Sequence, residues 1–217
     1  MHSAELSAAA LSRVDHLVYT VPDLGAAVEA LEERLGIRAA PGGRHEGRGT
    51  RNALISLGER TYLEVLGPDP KGPAPERTRW FGVDALAMPR LAGWAAAGKD
   101  LQRIVEEAAR AGVTLGAVQE GSRRRPDGVV LSWRFTDPTV VVADGLMPFF
   151  IHWGDSSHPA ASTPPGATLV GLRGEHPDPE RVQGMLRAAG VALDVRAGAV
   201  PALIATLDTP RGRRELR

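Results

Sequence analysis

The chain has 217 residues, of which 43% are hydrophobic and 24% charged, proportions that suit a globular protein with a proper core. Lys+Arg and Asp+Glu number 26 each, so the formal net charge is zero and the basic footprint demanded by nucleic acid or an anionic membrane is missing. Cysteine is absent, which excludes disulfides, thiolate catalysis and Cys-based zinc sites.

The opening stretch, "MHSAELSAAALSR", has neither a basic n-region nor a sustained apolar h-region, so it does not read as a signal peptide. No run approaches the roughly 18 apolar residues of a membrane span. The expectation is a soluble, cytoplasmic protein. The first predicted strand is "VDHLVYTV" at 14–21, followed by a helix within "TVPDLGAAVEALEERLGIRA" at 20–39. There Ala27, Leu31 and Leu35 make one apolar stripe. An extended segment at 37–46 and strands at 50–57 and 61–66 complete the first unit, and "GPDPKGPAP" at 67–75 reads as a linker.

A second unit repeats this order with a strand at 91–97 and a helix within "AAGKDLQRIVEEAARAGVTLG". Strands at 114–119, 129–135 and 147–153 follow. A third, after the linker "SSHPAASTPPG", has a strand at 168–173, a helix within "GEHPDPERVQGMLRAAGVALD", and strands at 192–196 and 202–207. Asp23, Asp100 and Asp178 recur 77 and 78 residues apart as N-caps, and Gly36, Gly112 and Gly190 fall at the left-handed C′ positions. The pattern predicts an α+β fold, with tandem βαβββ modules at 13–68 and 90–154 forming a curved mixed sheet around a cleft. A shortened βαββ unit at 167–210 follows them.

Strand alternation sorts the side chains. Leu17, Tyr19, Val21, Leu63 and Val65 fall on helix-packed faces, which leaves His16, Val18, Tyr62, Glu64 and Leu66 on the opposite face. At 147–153, Phe149, Ile151 and Trp153 share one face, opposite Phe150 and His152. A face carrying His16, Glu64 and His152 beside Val18, Leu66 and Phe150 reads as a cleft lining. His45 in "GGRHEGRGT" reads as an exposed loop histidine or as a substrate contact, because glycines let backbone approach a ligand. Asn52 is placed to orient a carbonyl or carboxylate, and Trp94 or Trp133 to floor the pocket, although tryptophans are more often plain core. Arg123–Arg125 read as a solvated loop rather than an anion clamp. His2, His158 and His176 receive no role.

The stretches "VDHLVYTVPDL", "GGRHEGRGTRNALISLGERTYLEVLG" and "MPFFIHWGD" resemble the vicinal oxygen chelate superfamily, and more closely its glyoxalase-like domain proteins. The resemblance implies a divalent metal (Zn, Ni, Mn or Fe) in the cleft, held by first- and last-strand residues of each module. By position it offers His16, Glu64 and His152 as ligands, with Trp94 where a fourth would stand. It implies a metal-dependent isomerase, lyase or dioxygenase on a small oxygenated substrate, with Glu64 as ligand or base. His45, Asn52, Tyr62, Trp94, Trp133 and Phe150 would then contact substrate, and a homodimer is an expected assembly. The alternative is a metal-free binding protein of the same fold. There His16, Glu64 and His152 form a hydrogen-bonded polar patch in a tryptophan-lined pocket.

Overall fold

The structure, a computed structural model, describes residues 11–45, 47–76 and 78–217. His2 and residues 1–10 of the stretch read for a leader lie outside them. Among the described residues no helix is long and apolar enough to cross a membrane.

The first module runs β1 (Val14–Thr20), α1 (Leu24–Leu35), β2 (Ala40–His45), β3 (Thr50–Gly58) and β4 (Thr61–Pro68). The second runs β5 (Arg90–Ala97), α2 (Leu101–Arg110), β6 (Val118–Arg124), β7 (Val130–Thr136) and β8 (Phe149–His152). Each helix begins and ends where local chemistry directs. The Asp23 carboxylate accepts from the Ala26 N–H, Asp100 from Arg103 and Asp178 from Arg181, satisfying donors with no partner inside the helix. Gly36, Gly112 and Gly190 follow the helices at φ of 76°, 79° and 70°, which a side chain would make costly.

The eight strands close into a barrel in the order β1-β4-β3-β2-β6-β7-β8-β5. Within each module the first strand lies parallel to the last, His16 beside Tyr62 in β1–β4 and Ala95 beside Phe149 in β5–β8. The modules meet along β1–β5, a long antiparallel seam, and along β2–β6, which pairs Arg44 with Arg124 and His45 with Arg123. The second seam turns the expected curved sheet with its cleft into an enclosed interior.

Burial separates two apolar layers. Outside the barrel, Leu17, Tyr19, Val21, Leu63 and Val65 pack with Leu24, Ala27, Leu31 and Leu35 of α1, as alternation predicts. Each buried leucine contributes roughly 2–3 kcal/mol of apolar transfer. Inside, Val18, Leu54, Tyr62, Leu66, Trp133 and Trp153 belong to a second cluster.

The C-terminal unit comprises β9 (Thr168–His176), α3 (Pro179–Ala188), β10 (Asp194–Ala197), β11 (Ala202–Thr209) and β12 (Gly212–Leu216), one strand more than the expected βαββ. Its sheet has the order β10-β9-β11-β12. Here the strand directly after the helix, β10, pairs parallel with β9, so the shared sequence grammar does not produce the pairing of the barrel modules. Leu169, Leu172, Leu193, Leu203 and Leu207 of this unit join the outer cluster of the barrel.

Candidate active site in the barrel interior

β1 brings Asp15 and His16 to the interior together. The β1–β5 register shifts between Val14 and His16, and such a bulge re-aims adjacent side chains. Asp15 Oδ1 lies 2.8 Å from His16 Nδ1. The Trp153 indole N–H donates to both Asp15 oxygens at 3.1 and 3.2 Å, and His158 Nε2 approaches Oδ2 at 3.3 Å. Burial would raise the Asp15 pKa, but the His158 and His16 hydrogen bonds and their charges prevail and hold it at about 2. A carboxylate can only accept, so Nδ1 carries a proton, and in the neutral ring Nε2 presents a lone pair.

That Nε2 faces Glu64 Oε2 at 3.8 Å, too far for a hydrogen bond and close enough to share a small group between them. Tyr62, paired with His16 across β1–β4, stacks on its ring at 4.6 Å between centroids. Burial, reinforced by the Glu64 and Asp15 charges, pushes the Tyr62 hydroxyl far up, so it stays a neutral phenol. Glu64 Oε1 accepts from Asn52 Nδ2 at 2.5 Å, and Asn52 Oδ1 accepts from Arg123 Nη1 at 3.0 Å. His45 lies beside this relay, with Nε2 3.6 Å from Glu64 Oε1 and Nδ1 3.0 Å from the Thr50 hydroxyl. Burial pushes the His45 pKa down to about 4; the Glu64 charge opposes this while Arg123 and Arg48 add to it, and the ring is neutral at pH 7.

His16, His45, Asn52, Tyr62, Glu64 and Trp133 therefore line one cavity, of about 30 Å3. It is walled further by Trp80, Phe81, Phe135, Phe149, Trp153 and Arg123. A volume of that size holds on the order of one water, so aromatic rings nearly fill the expected cleft. His45, Trp80, Trp133 and Trp153 also border an outer groove of about 1020 Å3, and they form the partition between the groove and the cavity.

Three expected contacts lie elsewhere. Phe150 packs in the outer cluster under α2, and His152, on the same face of β8, is half-buried in the outer groove. The inward residues of β8 are Phe149 and Ile151, with Trp153 just beyond, so the two faces are the reverse of the expected ones. Trp94 pairs with Leu17, packs in the outer cluster and donates its indole N–H to the Leu146 carbonyl at 2.9 Å. The interior residue beside His16 is instead Ala95. His152 is thus separated from His16 and Glu64, and the expected three-ligand set is not assembled. Among the described residues no group of three or more His, Cys, Asp or Glu is placed to hold a metal ion.

Sequence reading missed Arg123, which is 3% exposed rather than solvated, and His158, which is buried on Asp15 rather than idle in a linker. His176 is likewise buried, accepting from the Asp178 N–H and lying 2.9 Å from Asp144. No local signal marks these residues, because each is placed by strands or loops remote in sequence.

A family model described as "Glyoxalase-like domain" matches residues 14–190. No curated protein matches the chain. Among solved structures, a hypothetical protein from Staphylococcus aureus is similar at 13% identity and a TM-score of 0.66, covering 87% of each chain, a likeness of fold alone. A methylmalonyl-CoA epimerase from Mycobacterium tuberculosis matches at 19% identity over 70% of this chain and 91% of its own, with a TM-score of 0.42. The Streptomyces coelicolor methylmalonyl-CoA epimerase in complex with 2-nitronate-propionyl-CoA matches at 20% identity over 68% and 98%, with a TM-score of 0.45. With the family model spanning most of its length, and with paired βαβββ modules closing on one interior, the chain belongs to the glyoxalase-like domain family of the vicinal oxygen chelate superfamily.

Proposed function

We propose that this chain is an enzyme of the glyoxalase-like type that moves a proton on a small oxygenated substrate inside the barrel, with Glu64 as the acid–base group. The observation that carries the reading is the 3.8 Å gap between Glu64 Oε2 and His16 Nε2, two acceptors facing one spot. Asp15 orients His16 from behind, and Asn52 orients Glu64 through the opposite oxygen. A C–H next to a carbonyl, set against that pair, gives its proton to one acceptor, and the same group returns it to the carbanion. Tyr62 supplies a neutral wall, and the tryptophan partition excludes water from the carbanion. As arranged, the residues do not fit the three-ligand metal set, and no step here runs through an ion.

Deuterium incorporation from D2O into pyruvate, hydroxyacetone and a small acyl thioester tests the proposal. Wild-type protein exchanges at least one of them, and Glu64→Gln lowers the rate by roughly 100-fold or more. Absence of exchange across the panel removes the enzyme reading. Metal content is measured alongside on untagged protein. Stoichiometric metal lost in both Glu64→Gln and His16→Ala assigns an ion to these residues.

A second reading, a binding protein that sequesters a small molecule, is favoured by the enclosure of the cavity. It expects tight binding of a panel member with no exchange. Under either reading the partner is a small molecule rather than nucleic acid or a membrane.

A further inference from the structure

The indole N–H groups of this chain meet unequal fates. Trp94 donates to the Leu146 carbonyl and Trp153 to Asp15. Trp80 is also buried, at 8% exposed, yet its Nε1 has no hydrogen-bond partner among the described residues. Buried donors are almost always paired, and an orphan on a residue that lines a cavity is a place for a ligand's acceptor. Trp80 borders both the inner cavity and the outer groove, so with His45, Trp133 and Trp153 it stands on the path between them. Its ring stands edge-on to His45 at 5.3 Å, and the Arg48 guanidinium lies 4.5 Å over the ring. A cation on the π face draws electron density from the indole and strengthens its N–H as a donor.

A second donor lines the same cavity. Arg123 is 3% exposed and uses Nη1 for Asn52, its one side-chain hydrogen bond among the described residues. Residues of the cavity wall therefore carry two N–H donors, one of them cationic, beside the acceptors Glu64 Oε2 and His16 Nε2. Donors of this kind select a carboxylate, and the acceptor pair selects an adjacent acidic hydrogen. We infer that Trp80 Nε1 is a substrate-positioning donor, and that it binds a carboxylate oxygen of a small 2-oxo or 2-hydroxy acid. The inference rests on the functional reading above and names its substrate class. Admission requires part of the wall to yield, because the cavity has room for about one water, and we place that movement at Trp80. The backbone beside it is set for such a move: Phe81 and Gly82 follow at φ of 56° and 65°, and the strained Phe81 conformation stores the means to relax.

The test uses 15N-labelled full-length protein, with pyruvate and glyoxylate as probes and hydroxyacetone as the uncharged match. The Trp80 indole signal is identified by its loss in Trp80→Phe, or, should that variant not fold, by through-space contacts to the His45 and Phe135 rings. Both acids are expected to shift this signal, and hydroxyacetone is not. Trp80→Phe should bind the acids about tenfold more weakly while hydroxyacetone binding stays the same, because the N–H serves the carboxylate. A merely structural tryptophan would instead leave acid affinity intact, or weaken acids and hydroxyacetone alike, either of which overturns the inference. So does an indole signal indifferent to saturating acid, since water is then its partner, or one moved equally by hydroxyacetone. An indole shift without deuterium exchange removes the proton-transfer reading and leaves the donor in place. Exchange lost in Glu64→Gln with no indole shift does the reverse.

Discussion

Asp15 and His45 give the interior two separate acid limits. The folded pKa of His45, about 4, lies below the ordinary 6.5, so the unfolded chain takes up this proton first. Its contribution is fully present above pH 6.5 and is lost as pH falls to 4, a change of about 3 kcal/mol. Asp15, held at about 2 against an ordinary 3.8, contributes in full above pH 4 and loses about 2 kcal/mol as pH falls to 2. Urea unfolding from pH 2 to 7 should show both losses in the wild type. His45→Gln should lack the one between pH 6.5 and 4, and Asp15→Asn the one below pH 4. Asp15→Asn should also lower stability at pH 7 by about 2–4 kcal/mol, because His16, Trp153 and His158 lose their shared charge and an NH2 donor replaces one of the two accepting oxygens. Equal acid slopes in all three proteins would show that neither group titrates as its burial and partners require.

Glycines illustrate how strands and helices place these groups. A Cβ on Gly42 in β2 would stand 2.1 Å from Asn52 Oδ1 and 2.5 Å from Arg123 Nη1, inside the relay that holds Glu64. Gly42→Ala should therefore cost about 2–3 kcal/mol by denaturant melts and depress exchange activity, because β2 must shift or the Asn52–Arg123 bond must break. Gly184, in the middle of α3, has its nearest neighbour, an Arg187 side-chain nitrogen, at 4.0 Å. Gly184→Ala should raise stability by about 1 kcal/mol through helix propensity, leaving activity unchanged. If Gly42→Ala proved as benign as Gly184→Ala, the relay would not depend on close approach of β2. Elements of this kind were legible beforehand. The three Asp–helix–Gly units were visible because caps and C′ glycines act within a few residues. The helix-packed faces of β1 and β4 were visible because apolar residues alternate there. On β8 both faces carry aromatic and apolar residues, so alternation defined two faces without saying which pointed inward, and His152 was assigned to the wrong one.

Across the molecule, barrel and C-terminal sheet are joined by a single outer cluster that includes Leu17, Leu101 and Leu146 from the barrel and Leu172 and Leu207 from the sheet. Leu146 also approaches Gly174 so closely that a Cβ there would sit 3.1 Å from its Cδ1. Neither part buries its apolar face alone. Thermal unfolding should then be one cooperative event, with tryptophan fluorescence, which reports the barrel, coinciding with far-UV circular dichroism, which reports both. Separated transitions, or a truncation after residue 166 that stays folded and soluble, would contradict the shared core.

The sequence by itself determined the α+β class, the repeated helix units and most of the polar residues now found around one cavity: His16, His45, Asn52, Tyr62 and Glu64. These follow from local capping, from strand period and from the cost of burying polar groups on apolar strands. Tertiary structure alone decided the closure of β2 on β6, which turned a cleft into a chamber and drew Arg123 inside. It also set Ala95 rather than Trp94 beside His16, His158 against Asp15, and the unpaired Trp80 indole at the chamber wall. Each of these depends on the pairing or approach of segments far apart in the chain, and no local pattern of side chains encodes such a register.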